Sequence, residues 1–497
     1  MTTKVVKGSL WTLAGQVVPL GVSLITSPIV IRLLGTEGYG VMILVLLIPT
    51  YFGFADFGMG LASTKFGSDA YASGSREKEA RIVRTAALIA LLTSIPIAVA
   101  IFSLSGTVIE WFNVPEHFRD EASLALKLAA VTIVLNFLCL IFNTPQLTRL
   151  RMDLNTLVNA GFRILGAIAI PIVIYLGGGI VGAVLVLFAV STLTLLGHIF
   201  VSGRLLRELF QISIEKAAVR PMLKFGGSLV AAGIAGVLLV NLEKLVLTRA
   251  TSVETLAYYS VALTFAGVIT LFSGSMIQSL IPAFSQLQGE GNREALSNLY
   301  SRGIRMNLIW VVPVIVFLAL IAKPFFTLWG GEDFGRESPM PFYIILGGLA
   351  FNVLAYFPWA AIMASGRSDI MAKLYWFELL PYILLVAWLA TRFGASGAAA
   401  AWSLRVIADA VLLFMLAKKI GGVSYTQRNF WPFVFAFLIM LLPFAVFLYF
   451  HGLNPTVIVV TLIALALYVL TVWKWVLENE EISWFKSKLN AYFIRKA

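Results

Sequence analysis

Long apolar runs separated by short polar segments constrain this 497-residue sequence more than any other feature. Each of fourteen runs is long enough to cross a bilayer as one helix of about 20 residues. The hydrophobic fraction is 59% and the charged fraction is only 12%, which is typical of a membrane protein. We therefore predict an all-α polytopic membrane protein with about 14 transmembrane helices. The predicted spans are 10–34, 40–62, 83–105, 123–146, 155–176, 180–203, 225–248, 257–283, 304–328, 342–364, 373–391, 396–417, 431–450 and 456–476.

Lysine and arginine are distributed unevenly between the two sets of loops. If the N-terminus is cytoplasmic, 27 of the 37 basic residues lie in loops on that side, and eight lie on the opposite side. The excess of basic residues in cytoplasmic loops predicts that both termini are cytoplasmic. It also accounts for the net charge of +12 without a nucleic-acid partner.

Several classes of chemistry lack the residues that they need. Cys139 is the only cysteine, which excludes a disulfide framework and a multi-cysteine metal site. No Gly-x-x-x-x-Gly-Lys-Ser/Thr motif is present to hold ATP phosphates. The three histidines lie near span ends or in loops, and none lies in mid-membrane beside carboxylates. The sequence therefore predicts neither a catalytic site nor a metal site.

A weak internal repeat relates the two halves of the chain. Gly8-Ser9-Leu10 recurs as Gly227-Ser228-Leu229, and Gly74-Ser75-Arg76-Glu77 recurs as Gly291-Asn292-Arg293-Glu294, at offsets of 217–219 residues. Six spans repeated in one orientation predict two six-helix lobes related by a pseudo-twofold axis along the membrane normal. The predicted domains are the lobes 1–208 and 209–420, a C-terminal helix pair at 421–478, and a basic amphipathic cytoplasmic tail at 479–497.

Charged side chains inside spans are costly and often line a cavity or a transport pathway. Arg163 lies about nine residues into the fifth span, roughly 13 Å deep by helical rise. Arg405 and Asp409 are four residues apart in the twelfth span, so they share a helix face. A guanidinium facing water suits an anion such as phosphate. The carboxylates of Asp56, Asp409 and Glu378 are candidates to hold a coupling proton or sodium ion.

Each of these residues also has a purely structural interpretation, as a neutralised pair or an interhelical hydrogen bond that specifies packing. For Asn136 in the fourth span, the packing interpretation is favoured over contact with a substrate. Glu243 and Lys244 are interpreted as residues of the outer membrane interface, where long charged side chains reach water.

The segment Arg32-Leu33-Leu34-Gly35-Thr36-Glu37-Gly38-Tyr39-Gly40, followed by Asp56-Phe57-Gly58, resembles the polysaccharide-transporter (Wzx-type) flippases. These flippases belong to the multidrug/oligosaccharidyl-lipid/polysaccharide exporter superfamily. The seventh and eighth spans are similar to the same family, through Leu245-Val246-Leu247-Thr248 and the run from Thr255 to Ala262. The resemblance covers about residues 5–420.

The resemblance implies two lobes around a cavity that opens alternately to each face of a bacterial inner (plasma) membrane. It implies a cargo of polyprenyl-pyrophosphate-linked oligosaccharide, whose prenyl tail stays in the membrane lipids. Cationic residues in that cavity would bind the anionic headgroup, and the motif places Arg32 among them, beside Arg163 and Arg405. A polysaccharide polymerase and glycosyltransferases are the implied partners, and no cofactor is implied beyond a coupling proton or sodium ion.

Two other functions remain open from the sequence. A small-molecule exporter of the same fold would exchange amphipathic cations against protons or sodium, and an arginine-lined cavity argues against it. A membrane-embedded glycosyltransferase, polymerase or ligase usually carries its catalytic residues in a sizeable outer loop. The longest outer loop here has about 18 residues, so we predict that the protein is not an enzyme.

Overall fold

In a computed structural model, the described residues are 2–211, 213–425, 430–450, 452–478 and 481–483. Sixteen α-helices and no strand occur in these ranges. The helices are α1 (Thr2–Thr50), α2 (Met59–Ala72), α3 (Arg76–Trp111), α4 (Arg119–Phe142), α5 (Thr144–Thr148), α6 (Met152–Val173), α7 (Gly179–Leu205), α8 (Lys216–Ala250), α9 (Val253–Ala266), α10 (Val268–Gly289), α11 (Arg293–Gly330), α12 (Glu332–Glu337), α13 (Pro339–Ala364), α14 (Ser368–Leu416), α15 (Phe430–Tyr449) and α16 (Pro455–Thr471). Short 3₁₀ and π segments flank several of them.

The predicted spans fall largely on helices, with a break in the second, and the prediction of an all-α polytopic membrane protein is confirmed. Eight helical stretches among the described residues are long and apolar enough to cross a membrane, or nine if the bent pair α9–α10 is one span. The stretches of 54 and 53 residues each contain two predicted spans, and the 37-residue stretch Ala14–Thr50 contains most of the first span and the start of the second. The predicted tail at 479–497 lies almost entirely outside the described residues.

Glycines divide the two longest helices between predicted spans. Gly35 has φ 71° inside α1, and Gly394 has φ 55° inside α14. Only glycine adopts such positive φ values without steric cost, so each position separates two helical segments. Gly35 lies between the predicted spans 10–34 and 40–62, and Gly394 lies between 373–391 and 396–417.

The second predicted span is interrupted, in contrast to the continuous helix expected over 40–62. Helix α1 ends at Thr50, and turns follow up to the start of α2 at Met59. Phe57 and Gly58 have φ values of 55° and 69°, which no helix accommodates. Pro49 and these two residues explain the break, which hydropathy alone does not register.

The described chain divides into two compact units. Unit 1 consists of Met1–Ala257 and Met371–Ala395, and unit 2 consists of Tyr258–Ile370 and Ser396–Ala497. In unit 1, helices α1, α3, α4 and α7 surround a fully buried core that includes Leu44, Leu126 and Ile180. In unit 2, helices α11, α15 and α16 pack around a core of their own. The sequence-predicted domain boundaries remain predictions.

The segment that joins α7 to α8 is bound along its length to α3. The Arg84 guanidinium donates to the carbonyl oxygens of Ser213 at 2.7 Å and Glu208 at 2.6 Å. The backbone N–H of Glu215 donates to Thr85 Oγ1 at 2.8 Å. Apart from one short 3₁₀ helix, Arg207–Phe210, the connector has no regular secondary structure, so its backbone groups need other partners, and α3 supplies several of them.

Candidate functional site

Arg163 projects from the protein-facing side of α6, not from its lipid-facing side. The apolar side chains of Leu157 and Leu165 are about 60% exposed and form the stripe expected to face lipid. At 100° per residue, Arg163 lies about 160° from Leu165 and only about 20° from Thr156. Thr156 faces α1, where a Cβ at Gly15 would contact it. Arg163 is also exposed, so its side chain is not packed between helices.

The guanidinium of Arg163 has no partner among the described residues. Within the described chain it forms no ion pair and no hydrogen bond. A charge inside a span is costly in contact with hydrocarbon, so this position favours contact with water or an anion. The anion-binding role of Arg163 remains a prediction.

Arg32 lies on a different kind of surface. It is exposed, three residues before the break at Gly35, and it shares a helix face with Ile25, which is 73% exposed. Near the end of a span, a guanidinium on an apolar face reaches the interface by extending its side chain. The role that the family motif implied for Arg32 remains a prediction.

Arg405 and Asp409 lie in unit 2, on the segment of α14 that follows Gly394. Asp409 is buried and Arg405 is half-buried, and their four-residue spacing on continuous helix places both on one face, as predicted. No contact or distance on the described residues tests a binding or coupling role for them.

Asp56 caps a helix. It is buried, and its Oδ1 accepts from the Gly58 N–H at 2.9 Å while its Oδ2 accepts from the Gly60 N–H at 3.0 Å. These donors belong to the first turn of α2 and the residue before it, where the helix dipole also favours a negative charge. The carboxylate therefore has a structural function in addition to any role in ion coupling.

Glu378 lies one helical turn from a buried hydrogen bond that sequence reasoning did not find. It is buried on α14, four residues before Tyr382 and on the same helix face, and the Tyr382 hydroxyl donates to Glu243 Oε2 at 2.9 Å. The interpretation of Glu243 as an interface residue is wrong, because its side chain is fully buried. Lys244 donates to Asn241 Oδ1 at 2.8 Å. We call Glu243, Glu378 and Tyr382 the acidic cluster; all three residues lie in unit 1.

The acidic cluster is not a multi-carboxylate metal centre. No group of three or more His, Cys, Asp and Glu side chains among the described residues is arranged to hold a metal ion. Two buried carboxylates with a tyrosine hydroxyl provide oxygen atoms suited to a proton or a monovalent cation.

Two arginines that the sequence assigned to cytoplasmic loops form buried ion pairs. Arg149 donates to both carboxylate oxygens of the fully buried Glu79, at 2.6 and 3.0 Å. In unit 2, Arg305 pairs with Glu481 at 2.6 Å and with Glu478 at 2.9 Å. Arg149 is thus bound to a fully buried carboxylate, whereas Arg305 also lines a cavity of about 910 Å³ together with Arg293 and Arg302.

Comparison with known proteins identifies the family. A sequence profile described as polysaccharide biosynthesis protein matches residues 5–288, more than half of the chain. The chain belongs to the polysaccharide biosynthesis protein family. The match includes the motif at Arg32–Gly40, Asp56, Arg163 and Glu243, and it ends before Glu378, Arg405 and Asp409.

Two relatives extend over most of the chain. A Shigella flexneri protein named "Putative O-antigen transporter" is 23% identical over 426 residues, which are 84% of this chain and 99% of that protein. An uncharacterized membrane protein of Bacillus subtilis (strain 168), EpsK, is 22% identical over 373 residues, 70% of each chain. Both relatives thus match a larger share of this chain than the profile does.

Solved structures show that this family member has the fold of the exporter superfamily. The lipid II flippase MurJ in an inward closed conformation has a TM-score of 0.65 and 15% identity, covering 90% of this chain and 97% of that chain. An inward-facing multidrug resistance MATE transporter of the MOP superfamily has a TM-score of 0.66 and 14% identity, covering 84% and 94%. At these identities the likeness establishes the fold alone. The recognition made from the motif at Arg32–Gly40 is confirmed.

Proposed function

We propose that this protein is a flippase that moves a polyprenyl-pyrophosphate-linked oligosaccharide, the repeat unit of a surface polysaccharide, across the bacterial inner membrane by alternating access. The family membership and the O-antigen transporter relative support a transport role in polysaccharide synthesis. The fold shared with a lipid II flippase supports a cargo built on a lipid pyrophosphate. The proteins it resembles are transporters, so the proposal assigns it no enzymatic reaction.

The environment of Arg163 carries the proposal. Its guanidinium lies in a spanning helix, is exposed on the side opposite Leu165, and is not neutralised by a described residue. Such a group retains its charge at all physiological pH values and offers forked donors that match phosphate oxygens. A pyrophosphate headgroup is an anion of that chemistry. The sugar would travel with the headgroup while the prenyl chain remains in lipid.

Ion coupling forms a second part of the proposal, and the acidic cluster is its site. Glu243 and Glu378 are both buried in unit 1, and the Tyr382 hydroxyl binds one of them. Burial makes a carboxylate prefer to bind a cation or a proton. Exchange of a proton or a sodium ion at this cluster would accompany each transport cycle. Asp409 in unit 2 is the other candidate for this role, and Asp56 is less suited because its oxygens cap α2.

A cation-coupled multidrug exporter is the alternative, because the multidrug transporters have the same fold. The two functions differ in the charge of the cargo. An arginine facing the transport space repels amphipathic cations, which favours the lipid-linked oligosaccharide.

The experiment measures binding and translocation of a fluorescent prenyl pyrophosphate carrying one sugar, in proteoliposomes. We expect Arg163→Ala to weaken binding by roughly tenfold or more, because a charged hydrogen bond contributes about 1.5–3 kcal/mol. Arg163→Lys should retain partial function if charge alone suffices. The matched control is Arg336→Ala, which removes an exposed arginine that pairs with Asp333 within the short helix α12.

Two results would contradict the proposal. Wild-type vesicles that move no prenyl-linked probe, but transport an organic cation such as ethidium, would favour the exporter function. Wild-type affinity in Arg163→Ala would remove the anion-binding role.

A further inference from the structure

Two cavities in unit 1 meet at Gly53, which lines both of them. The first, of about 320 Å³, lies among α1, α4 and α7. The second, of about 330 Å³, lies among the turn after α1, α2, α4 and α8. We call the pair the unit 1 crevice. Its polar lining consists of Thr50, Thr132, Asn136 and Ser191 in the first cavity, and of Asp56, Thr64 and Asn143 in the second.

Two asparagines connect the cavities along one side. Asn136 lies on α4, and Asn143 is the first residue after the end of α4, seven residues after Asn136. Seven residues are close to two helical turns, so the side chains lie about 20° apart around the helix and about 10 Å apart along it. Both carboxamides therefore belong to a single stripe, and each lines one of the two cavities.

Asn143 has unused hydrogen-bonding capacity. Its side chain is 7% exposed, and its buried Oδ1 accepts no hydrogen bond from a described residue. A buried carbonyl oxygen without a donor costs free energy, so buried polar atoms nearly always have a partner. Because this oxygen belongs to a side chain that lines a cavity, a ligand hydroxyl in that cavity would supply the missing donor.

Asn136 is oriented by a neighbouring helix. Its Oδ1 accepts from the Ser191 hydroxyl of α7 at 2.9 Å, which fixes the carboxamide. The amide nitrogen has two further donors, and the residue is exposed to the cavity. The sequence favoured a packing role for this residue. The hydrogen bond from Ser191 fits that role for Oδ1 but leaves the amide nitrogen for a ligand.

The remaining lining indicates the chemistry of the occupant. No lysine or arginine lines either cavity. The carboxylate of Asp56 is already bound by two backbone N–H groups, so it does not demand a cation. Carboxamides and hydroxyls on apolar walls such as Phe54 and Leu140 suit a neutral ligand with hydroxyl groups on one edge and C–H groups on its faces.

From these observations we infer that the unit 1 crevice binds the sugar portion of the transported lipid, with Asn136 and Asn143 as its specificity-determining residues. The inference rests on the proposed function, since it assigns a second part of the same cargo. It assigns the sugar and the pyrophosphate to different sites, because the neutral sugar is bound by uncharged polar groups and the pyrophosphate by a positive charge. An apolar groove of about 580 Å³ in unit 2 is less suited to a sugar, because the Thr461 and Tyr468 hydroxyls in its lining already donate to backbone carbonyls.

The test compares two kinds of probe: a prenyl pyrophosphate without sugar, and the same lipid carrying glucose, galactose or N-acetylglucosamine. Asn143→Leu keeps the size of the side chain and removes its polarity. We expect it to weaken binding of at least one sugar-bearing probe by roughly threefold to tenfold, the usual effect of one lost neutral hydrogen bond. Affinity for the sugar-free lipid should not change. Asn136→Leu should act in the same direction.

Two control variants separate binding from folding. Asn298→Leu changes an exposed asparagine of α11 outside the crevice and should leave both affinities at the wild-type value. Asn307→Leu breaks the buried bond that Asn307 accepts from Ser273 and should lower the thermal midpoint. Because Asn143 forms no side-chain bond within the described chain, Asn143→Leu should keep the wild-type midpoint.

The outcomes distinguish the two proposals. If the wild type binds sugar-bearing probes and Asn143→Leu and Asn136→Leu bind them equally well, the crevice does not recognise sugar, and the proposed function stands. Equal losses for sugar-bearing and sugar-free lipids in these variants would also overturn the inference. If the wild type binds neither kind of lipid, the proposed function fails and the inference fails with it.

Discussion

The buried ion pair between Glu79 and Arg149 should contribute strongly to the stability of unit 1. Glu79 is fully buried on α3, and its oxygens accept two hydrogen bonds from Arg149 and one from the Thr148 hydroxyl at 3.0 Å. Arg149→Met removes the guanidinium and leaves the carboxylate buried beside a single neutral donor. Removal of one partner of a buried pair typically costs about 3–5 kcal/mol, because the remaining charge has no compensation.

The paired substitution predicts a different result. In Glu79→Met/Arg149→Met both charges are absent and the volume is largely kept. Replacing a buried pair with apolar residues is often close to neutral, so the double variant should be more stable than Arg149→Met alone. A double variant that is more stable than the single variant indicates that the uncompensated charge is the cause of the loss. If lost contacts were the cause, the second substitution would destabilise the protein further.

The assay is the rate of irreversible unfolding in detergent at a fixed temperature, followed by the loss of the monodisperse species. If about half of the loss of about 3–5 kcal/mol in stability lowers the unfolding barrier, Arg149→Met should unfold roughly tenfold to seventyfold faster than the wild type. The matched control is Arg367→Ala, whose ion pair with Asp369 is exposed on both sides, and whose rate should not change measurably. A rise below twofold for Arg149→Met would refute the reasoning, as would a double variant less stable than the single one.

Two further experiments address ion coupling and topology. Glu243→Gln removes a charge and should abolish the dependence of transport on a proton or sodium gradient. Tyr382→Phe removes a hydrogen bond and should weaken that dependence by severalfold. Unchanged gradient dependence in Glu243→Gln would exclude the acidic cluster as the coupling site. For topology, Lys78→Cys should react with an impermeant maleimide only from the cytoplasm and Asp333→Cys only from outside, with little background because Cys139 is buried. Labelling of both from one side would contradict the predicted orientation.

The sequence predicted well where the spanning helices lie along the chain, but poorly which way individual side chains point around each helix. Spanning runs and the corner at Gly35 follow from hydropathy and glycine content, which are local properties. Whether Glu243 faces lipid, water or a neighbour depends on a tyrosine 139 residues later, which no local pattern records. The prediction for Arg163 has a different basis, the cost of placing a charge in hydrocarbon.

The partners of two loop arginines could not be predicted for a related reason. Arg149 and Arg305 follow the positive-inside count, yet their partners lie 70 and 176 residues away along the chain. The helix-capping role of Asp56 could have been predicted locally, because an aspartate just before a helical run is typical of a helix N-terminus. That signal was overlooked because the surrounding run was interpreted as one continuous span.

The attachment of the α7–α8 connector to α3 has a practical consequence for protein engineering. A boundary between sequence repeats, such as the one predicted at 208/209, is the usual choice for an epitope tag, a protease site or a split into two polypeptides. Here the carbonyl groups of that stretch are the acceptors of Arg84, so an insertion would withdraw them and leave a guanidinium unsatisfied beside the bilayer. Insertions are better directed to the exposed turn at Gly291, whose neighbours hold no such contact.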